Sequence, residues 1–189
     1  MDKSQPDVTG LILCGGKGSR LGNKDKGLVN YKDKTLIHHM IERVKPQVGH
    51  LLININQNDA LYAAYGEQLT TDADNNFLGP LAGILSAVSV INTEFCFVVP
   101  CDMPHVPLDT VSRLLAVIHK NCAVAVSNQG RIQPLVLLIK TTAISSIVDR
   151  LSGHNRSVLG WLESIDYKKE DFSDSPSAFQ NLNEPDAFK

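Results

Sequence analysis

Long apolar stretches are missing from this chain, and that absence is the first constraint on it. No segment approaches the roughly 18 apolar residues of a membrane-spanning helix. The opening residues Met1 to Asp7 are polar where a signal peptide carries its apolar region. A cytoplasmic protein with no membrane association is expected. Cysteine is sparse: Cys14, Cys96, Cys101 and Cys122 show no C-x-x-C spacing. That leaves no case for a cysteine metal site and predicts reduced, mostly buried thiols, with Cys101 beside an acidic residue the one to watch. A surplus of positive charge is also lacking. Lys and Arg number 18 against 20 Asp and Glu, for a net charge of -2, so no nucleic-acid partner is expected. Internal repeats and low-complexity linkers are absent. So are the two common phosphate signatures. After Gly18 come Ser19 and Arg20 where a P-loop needs lysine. Leu21 stands where a dinucleotide fingerprint needs its third glycine.

What is present is a globular composition. The 189 residues are 43% hydrophobic and 20% charged, enough for one domain over residues 1–189 with a real core. Val8–Leu13, Leu51–Ile55, Leu69–Asp72 and Phe95–Val99 read as strands. Helices alternate with them. One carries Ile37, Ile41, Val44 and Val48 on a single face and stops near Pro46. A short one runs from an Asn58 cap through Tyr65 to Gly66. Another opens at Gly79-Pro80 with Leu81, Ile84, Leu85 and Val88 on one face, and a fourth carries Val111, Leu114, Leu115 and Ile118. Then come strands Ala123–Val126 and Leu135–Ile139 around a Gln129-Gly130 turn. A helix near Thr142–Leu151, a break at Gly153–Asn155 and a helical Ser157–Ile165 complete the pattern. Alternation of this kind predicts an α/β fold: three layers, with a mostly parallel sheet covered on both faces by helices.

In such sheets ligands sit beyond the carboxyl ends of the strands, and the chain concentrates its informative polar residues there. Leu13-Cys-Gly-Gly-Lys-Gly-Ser-Arg20-Leu-Gly22 ends an apolar run in a glycine-rich, basic loop. Glycine lets backbone N–H groups approach phosphate oxygens. Lys26 is the loop's catalytic candidate, a compact charge able to offset charge built up in phosphoryl transfer. Arg20 can grip a phosphate bidentately. Lys17 and Lys24 read as solvated. Asp102 closes the Phe95–Val99 strand, either as a cap or turn aspartate ahead of Pro104 and Pro107 or placed to hold Mg²⁺, which takes one or two carboxylates together with phosphate oxygens and waters. Asp72 either ends its strand or accepts from the N1–H and N2–H₂ edge of guanine, a donor pair that adenine does not present. Asn54 either contacts base or ribose or is an ordinary strand-end amide. Gly83 sits early in a helix at a cost of about 1 kcal/mol against alanine, which points to close approach by a nucleoside or to tight helix–sheet packing. His38, His39 and Trp161 read as structural, and Lys168-Lys169 as a solvated edge.

These motifs, in this order, resemble the molybdenum cofactor guanylyltransferase family. The likeness rests on Leu13-Cys-Gly-Gly16, Arg20-Leu-Gly22, Asp25-Lys26-Gly27, Asn54-Ile-Asn56, Gly79-Pro-Leu-Ala-Gly83 and Pro100-Cys-Asp102, then Asn155-Arg156-Ser-Val158 and Asn181-Leu-Asn183-Glu-Pro185. The resemblance implies a Rossmann-like nucleotidyltransferase fold. It also implies an enzyme that takes GTP, Mg²⁺ and molybdopterin to molybdopterin guanine dinucleotide and pyrophosphate. Lys26, Arg20 and Asp102 are the catalytic expectations, with Asp102 the metal ligand. Nucleotide contacts would fall on Leu13, Cys14, Gly15, Gly16, Gly22, Lys26, Asn54, Asp72 and Asp102, in the N-terminal part. Arg156, Asn181 and Asn183 would serve the pterin, in the C-terminal part. The same resemblance raises molybdenum insertion proteins and apo-molybdoenzymes or their chaperones as partners of a monomer. Cys14 replaces the family's usual alanine, and Gln133 stands where relatives can carry histidine. Neither departure alters the expected reaction class. The rival readings are a cytidylyltransferase of the same cofactor, a sugar-1-phosphate nucleotidyltransferase, and a non-catalytic protein that delivers the cofactor.

Overall fold

A computed structural model of the chain describes residues 7–15, 25–72, 79–153 and 156–182. Its strands are β1 (Val8–Leu13), β2 (Asn30–Tyr31), β3 (Lys34–Thr35), β4 (His50–Ile55), β5 (Gln68–Thr71), β6 (Phe95–Pro100), β7 (Ala123–Asn128), β8 (Arg131–Lys140) and β9 (Tyr167–Asp171). The α-helices are α1 (Leu36–Val44), α2 (Asp59–Ala63), α3 (Pro80–Ala87), α4 (Thr110–Ile118), α5 (Ile147–Ser152) and α6 (Val158–Leu162). Seven strands form one sheet in the order β5-β4-β1-β6-β8-β7-β9, and β2 and β3 form a separate hairpin. Strand β1 lies parallel to β4 and β6, β4 parallel to β5, and β7 parallel to β9, while β8 runs antiparallel to β6 and β7. The mostly parallel α/β expectation therefore holds. Among the described residues, no helix is long and apolar enough to cross a membrane.

Side chains alternate across the pleat, so each central strand feeds two cores. Ile12, Ile53, Phe97 and Val99 face Ile37, Met40 and Val44 of α1 and Val111, Leu114 and Ile118 of α4. Leu11, Leu13, Leu52 and Val98 face Leu81 and Ile84 of α3, Ile147 of α5 and Trp161 of α6. Trp161 is a core residue, as expected, with its indole N–H donating to Ser146 Oγ at 2.9 Å. The four cysteines are free, three of them buried.

Several local expectations change. Asn58 does not cap α2 with its side chain. Its backbone is left-handed at φ 64°, and its amide donates instead to Asp25 Oδ2 at 3.0 Å. The helix it precedes ends at Ala63 rather than Tyr65. The segment near Thr142–Leu151 divides into a 3₁₀ stretch, Thr141–Ser146, and α5. The Ser157–Ile165 helix contracts to α6. The Gln129-Gly130 turn is present, both residues at positive φ, as a two-residue hairpin requires. The strand beyond it extends to ten residues, Arg131–Lys140, with a register shift opposite Ala125/Val126. Tyr167–Asp171 pairs as the outermost strand β9. Its two lysines are the solvated edge read from the sequence, since charged side chains suit a strand with one unpaired side.

Candidate active site

The carboxyl ends of β1, β4, β5 and β6 meet at one rim, because these strands run parallel and in register. Leu13 pairs with Asn54 on one side and Pro100 on the other. Two backbone bonds carry the pairing one step past the strands. Cys14 N donates to Asn54 O at 2.8 Å, and Cys101 N donates to Leu13 O at 3.0 Å. The side chains of Leu13 and Cys14 are buried in opposite cores. Whatever they offer a ligand is therefore main chain, and Gly15 is the first exposed residue of the run. Arg20, Gly16 and Gly22, with Lys17 and Lys24, lie outside the described residues, as does Asn183.

Asp102 and Lys26 are joined as an ion pair through Asp102 Oδ2, although 76 residues separate them. The carboxylate is only 8% exposed and the lysine 23%. Oδ2 accepts a further hydrogen bond from Asn181 Nδ2 at 3.1 Å, and the Asp102 carbonyl accepts from Leu182 N at 2.9 Å. Oδ1 is buried and has no hydrogen-bond partner among the described residues. A buried carboxylate oxygen without a donor is costly, and a hard cation is the species that would satisfy it. No grouping of three or more His, Cys, Asp or Glu residues suited to a metal occurs among the described residues. The unpartnered Oδ1 fits a single-carboxylate Mg²⁺ site, at which phosphate oxygens and waters would supply the other ligands.

Lys26 reaches Asp102 from a short turn, Lys26–Leu28, that Asp25 caps by accepting from Gly27 N. Asp25 is anchored in turn. Its Oδ1 accepts from the Tyr62 hydroxyl at 2.6 Å, and its Oδ2 from Asn58. Tyr62 is fully buried, and burial, followed by the neighbouring Cys14 and its bond to Asp25, pushes its phenol upward. It stays a donor. Burial likewise holds the Cys14 thiol well above its ordinary value, with Cys101 next to it, so neither metal binding nor nucleophilic chemistry is offered there. The Asp25–Tyr62–Asn58 support was not read from the sequence. No spacing signal could have found it, since residues 33 and 37 positions apart meet only in the fold.

Asp72 stands just past β5. Asn54 Nδ2 donates to its Oδ1 at 3.2 Å. Asn56, in the amide orientation that satisfies both its ends, donates to its Oδ2 at 3.3 Å. Burial raises the Asp72 carboxyl above its ordinary value, and the two asparagine amides work against that rise. Asn54 is itself 2% exposed and also reaches Ser86 Oγ at 3.2 Å and Thr70 Oγ1 at 3.4 Å. It stands behind Asp72. Gly83 now has its explanation as well. A Cβ there would come within 2.6 Å of Asn54 Oδ1 and 3.2 Å of Leu13 Cδ2. Asn54 and the sheet make the close approach seen here, the tight-packing alternative read from the sequence. Arg156 is exposed, and its Nε donates to Leu151 O at 3.1 Å, not into the Asp102 cluster.

A MobA-like NTP transferase domain model matches residues 10–166. Over 181 residues the chain is 41% identical to a molybdenum cofactor guanylyltransferase of Shewanella sediminis, covering 95% of this chain and 92% of that protein. The chain belongs to this family. A second relative carrying that name, from Shewanella loihica, is 41% identical over 183 residues, covering 96% of this chain and 93% of its own length. The fold is likewise that of the crystal structure of molybdopterin-guanine dinucleotide biosynthesis protein A from Archaeoglobus fulgidus, at TM-score 0.79 and 22% identity over 95% of this chain and 94% of that one. This MobA-like enzyme is thus a nucleotidyltransferase.

Proposed function

We propose that this enzyme transfers GMP from GTP to the terminal phosphate of molybdopterin, forming molybdopterin guanine dinucleotide and releasing pyrophosphate. The observation that carries the reading is the Asp102–Lys26 pair at the mouth of β6, with one carboxylate oxygen left without a partner among the described residues. The names of the relatives support the choice of substrates. The four free cysteines suit a reducing cytoplasm.

The base lies toward Asp72, whose two oxygens are each steadied by an asparagine amide and retain acceptor capacity for N1–H and N2–H₂ of guanine. The triphosphate passes the Gly15 main chain toward Asp102. Magnesium held at Asp102 Oδ1 would neutralise phosphate charge there. An oxygen of the acceptor phosphate attacks the α-phosphorus of GTP in line. The bond from that phosphorus to the bridging oxygen breaks, and its electron pair leaves with pyrophosphate. The acceptor is already an anion, so no proton has to be removed and no general base is required. Lys26 offsets the charge gathering on the leaving group, and Arg20 is assigned the same task. The nucleotide thus occupies the N-terminal half, and the acceptor approaches from the C-terminal half, where Arg156 and Asn183 are assigned to it.

The test is incubation with each nucleoside triphosphate in turn, Mg²⁺ and molybdopterin, with product mass measured. GTP alone is expected to give the dinucleotide with stoichiometric pyrophosphate. A product from CTP instead would place the enzyme with the cytidylyltransferases. Turnover of a sugar 1-phosphate would move it to the sugar nucleotidyltransferases, and no pyrophosphate with any pair would leave a binding role.

A further inference from the structure

The segment past β9, from Phe172 to Leu182, is fastened to the sheet at several points. Phe172 and Phe179 are buried and stack edge to face at 5.3 Å between centroids. Asn128, buried at the end of β7, donates its amide to Phe172 O at 2.8 Å and Ser175 O at 3.0 Å. Thus anchored, the segment delivers Asn181 and Leu182 to Asp102 at two points, one through the side chain and one through the main chain. The resemblance of the sequence to its family implies a pterin contact for Asn181, yet its amide here is spent on a carboxylate.

We propose that Asn181 is a positioning residue for Asp102: its amide and Lys26 together hold Oδ2, so that Oδ1 is turned to a divalent cation. The inference rests on the metal role given to Asp102 above. The chemistry favours it. A carboxylate with no fixed donor on either oxygen can rotate about its last torsion at little cost. One with two donors on a single oxygen, one of them a cation, has its rotamer chosen. Partners of this kind typically contribute 10–100-fold to metal affinity. The backbone bond from Leu182 fixes the main chain of Asp102, leaving the side-chain torsion to Asn181 and Lys26.

The experiment measures Mn²⁺ binding by electron paramagnetic resonance, using the full chain with a non-hydrolysable GTP analogue and no acceptor present. Asn181→Ala should weaken Mn²⁺ binding about tenfold, and Asn181→Gln, which returns the amide on a longer stem, should recover part of that loss. Asn181 is an exposed residue, and thermal melts of both variants check that each is folded. Should the alanine variant not fold, the glutamine variant alone decides, with affinity below wild type expected. Wild-type Mn²⁺ affinity in a folded variant, with only the acceptor KM raised, would overturn the proposal and return Asn181 to the pterin. An Asp102→Asn control separates the two levels. If that control binds Mn²⁺ as wild type does, it is the metal role of Asp102 that fails, whatever the Asn181 variants show.

Discussion

Asn54 and Asp72, ending neighbouring parallel strands, share a hydrogen bond of 3.2 Å, and the asparagine is almost wholly buried while the carboxylate faces the rim. The pair converts a strand-end amide into a support. Its consequence is directional: the acceptor edge of Asp72 is set by the sheet.

Nucleobase preference should therefore depend on Asp72 and on its ionisation. Asp72→Asn is expected to erode the preference for GTP over ATP by about tenfold or more, the scale on which a missing polar partner is felt. The pH dependence follows from the sign of the shift. Burial raises the carboxyl, so on acidification the ionised, doubly accepting form is lost at a higher pH than for an ordinary aspartate. KM for GTP should rise on that limb in the wild type and stay flat in Asp72→Asn. Steady-state kinetics from weakly acidic to neutral pH check both.

Asp102→Asn should keep the fold and lose turnover. A metal contributes several kcal/mol of charge stabilisation, so a drop of roughly 10²–10³-fold is expected. The loss should not be recovered by raising Mg²⁺. Normal Mg²⁺-dependent turnover in the variant would remove Asp102 as the ligand.

For Lys26→Ala we expect about 3 kcal/mol less transition-state stabilisation, the scale of one oxyanion donor. The fall should appear mainly in kcat, since the charge it meets grows as pyrophosphate leaves. A change confined to KM for GTP would make Lys26 a ground-state contact instead.

Gly83→Ala sets two effects against each other. Helix propensity favours alanine by about 1 kcal/mol. The new methyl would fall 2.6 Å from Asn54 Oδ1, and Asn54 cannot swing away without giving up Thr70, Asp72 and Ser86. Overpacking of this kind costs about 1–3 kcal/mol, so the clash should win. Tm should fall, and GTP selectivity should fall with it because Asp72 loses its support.

Tyr62→Phe tests the anchoring of the lysine turn. The hydroxyl bond to Asp25 is partly buried and meets a charged acceptor, so its removal should cost about 2 kcal/mol in urea unfolding. Turnover should drop as well, since Lys26 sits on the turn that Asp25 caps.

Much of the fold was legible because periodicity is a local property. The apolar run of Val8–Leu13 and the face of Leu81, Ile84 and Leu85 state their elements through neighbours in the chain. Strand β9 was not legible, because Tyr-Lys-Lys-Glu-Asp carries no alternating apolar pattern and pairs only because β7 presents an open edge. Asn58 misled for a related reason. Asparagine before a helix commonly caps it, but here Asp25 competes for the amide across 33 positions of chain.

By itself the amino-acid order determined where the first parallel strands end and which polar residues follow them, since hydrophobic spacing and glycine punctuation act over a few bonds. It named Lys26, Asp72 and Asp102. Only the tertiary structure decided how they are used: that Lys26 closes on Asp102, that Asn54 backs Asp72, and that Asn181 returns from the far end of the chain to the same carboxylate. Hydrogen bonds and ion pairs act over about 3 Å and carry no memory of separation along the chain, so such partnerships exist only once packing has brought the strand ends together.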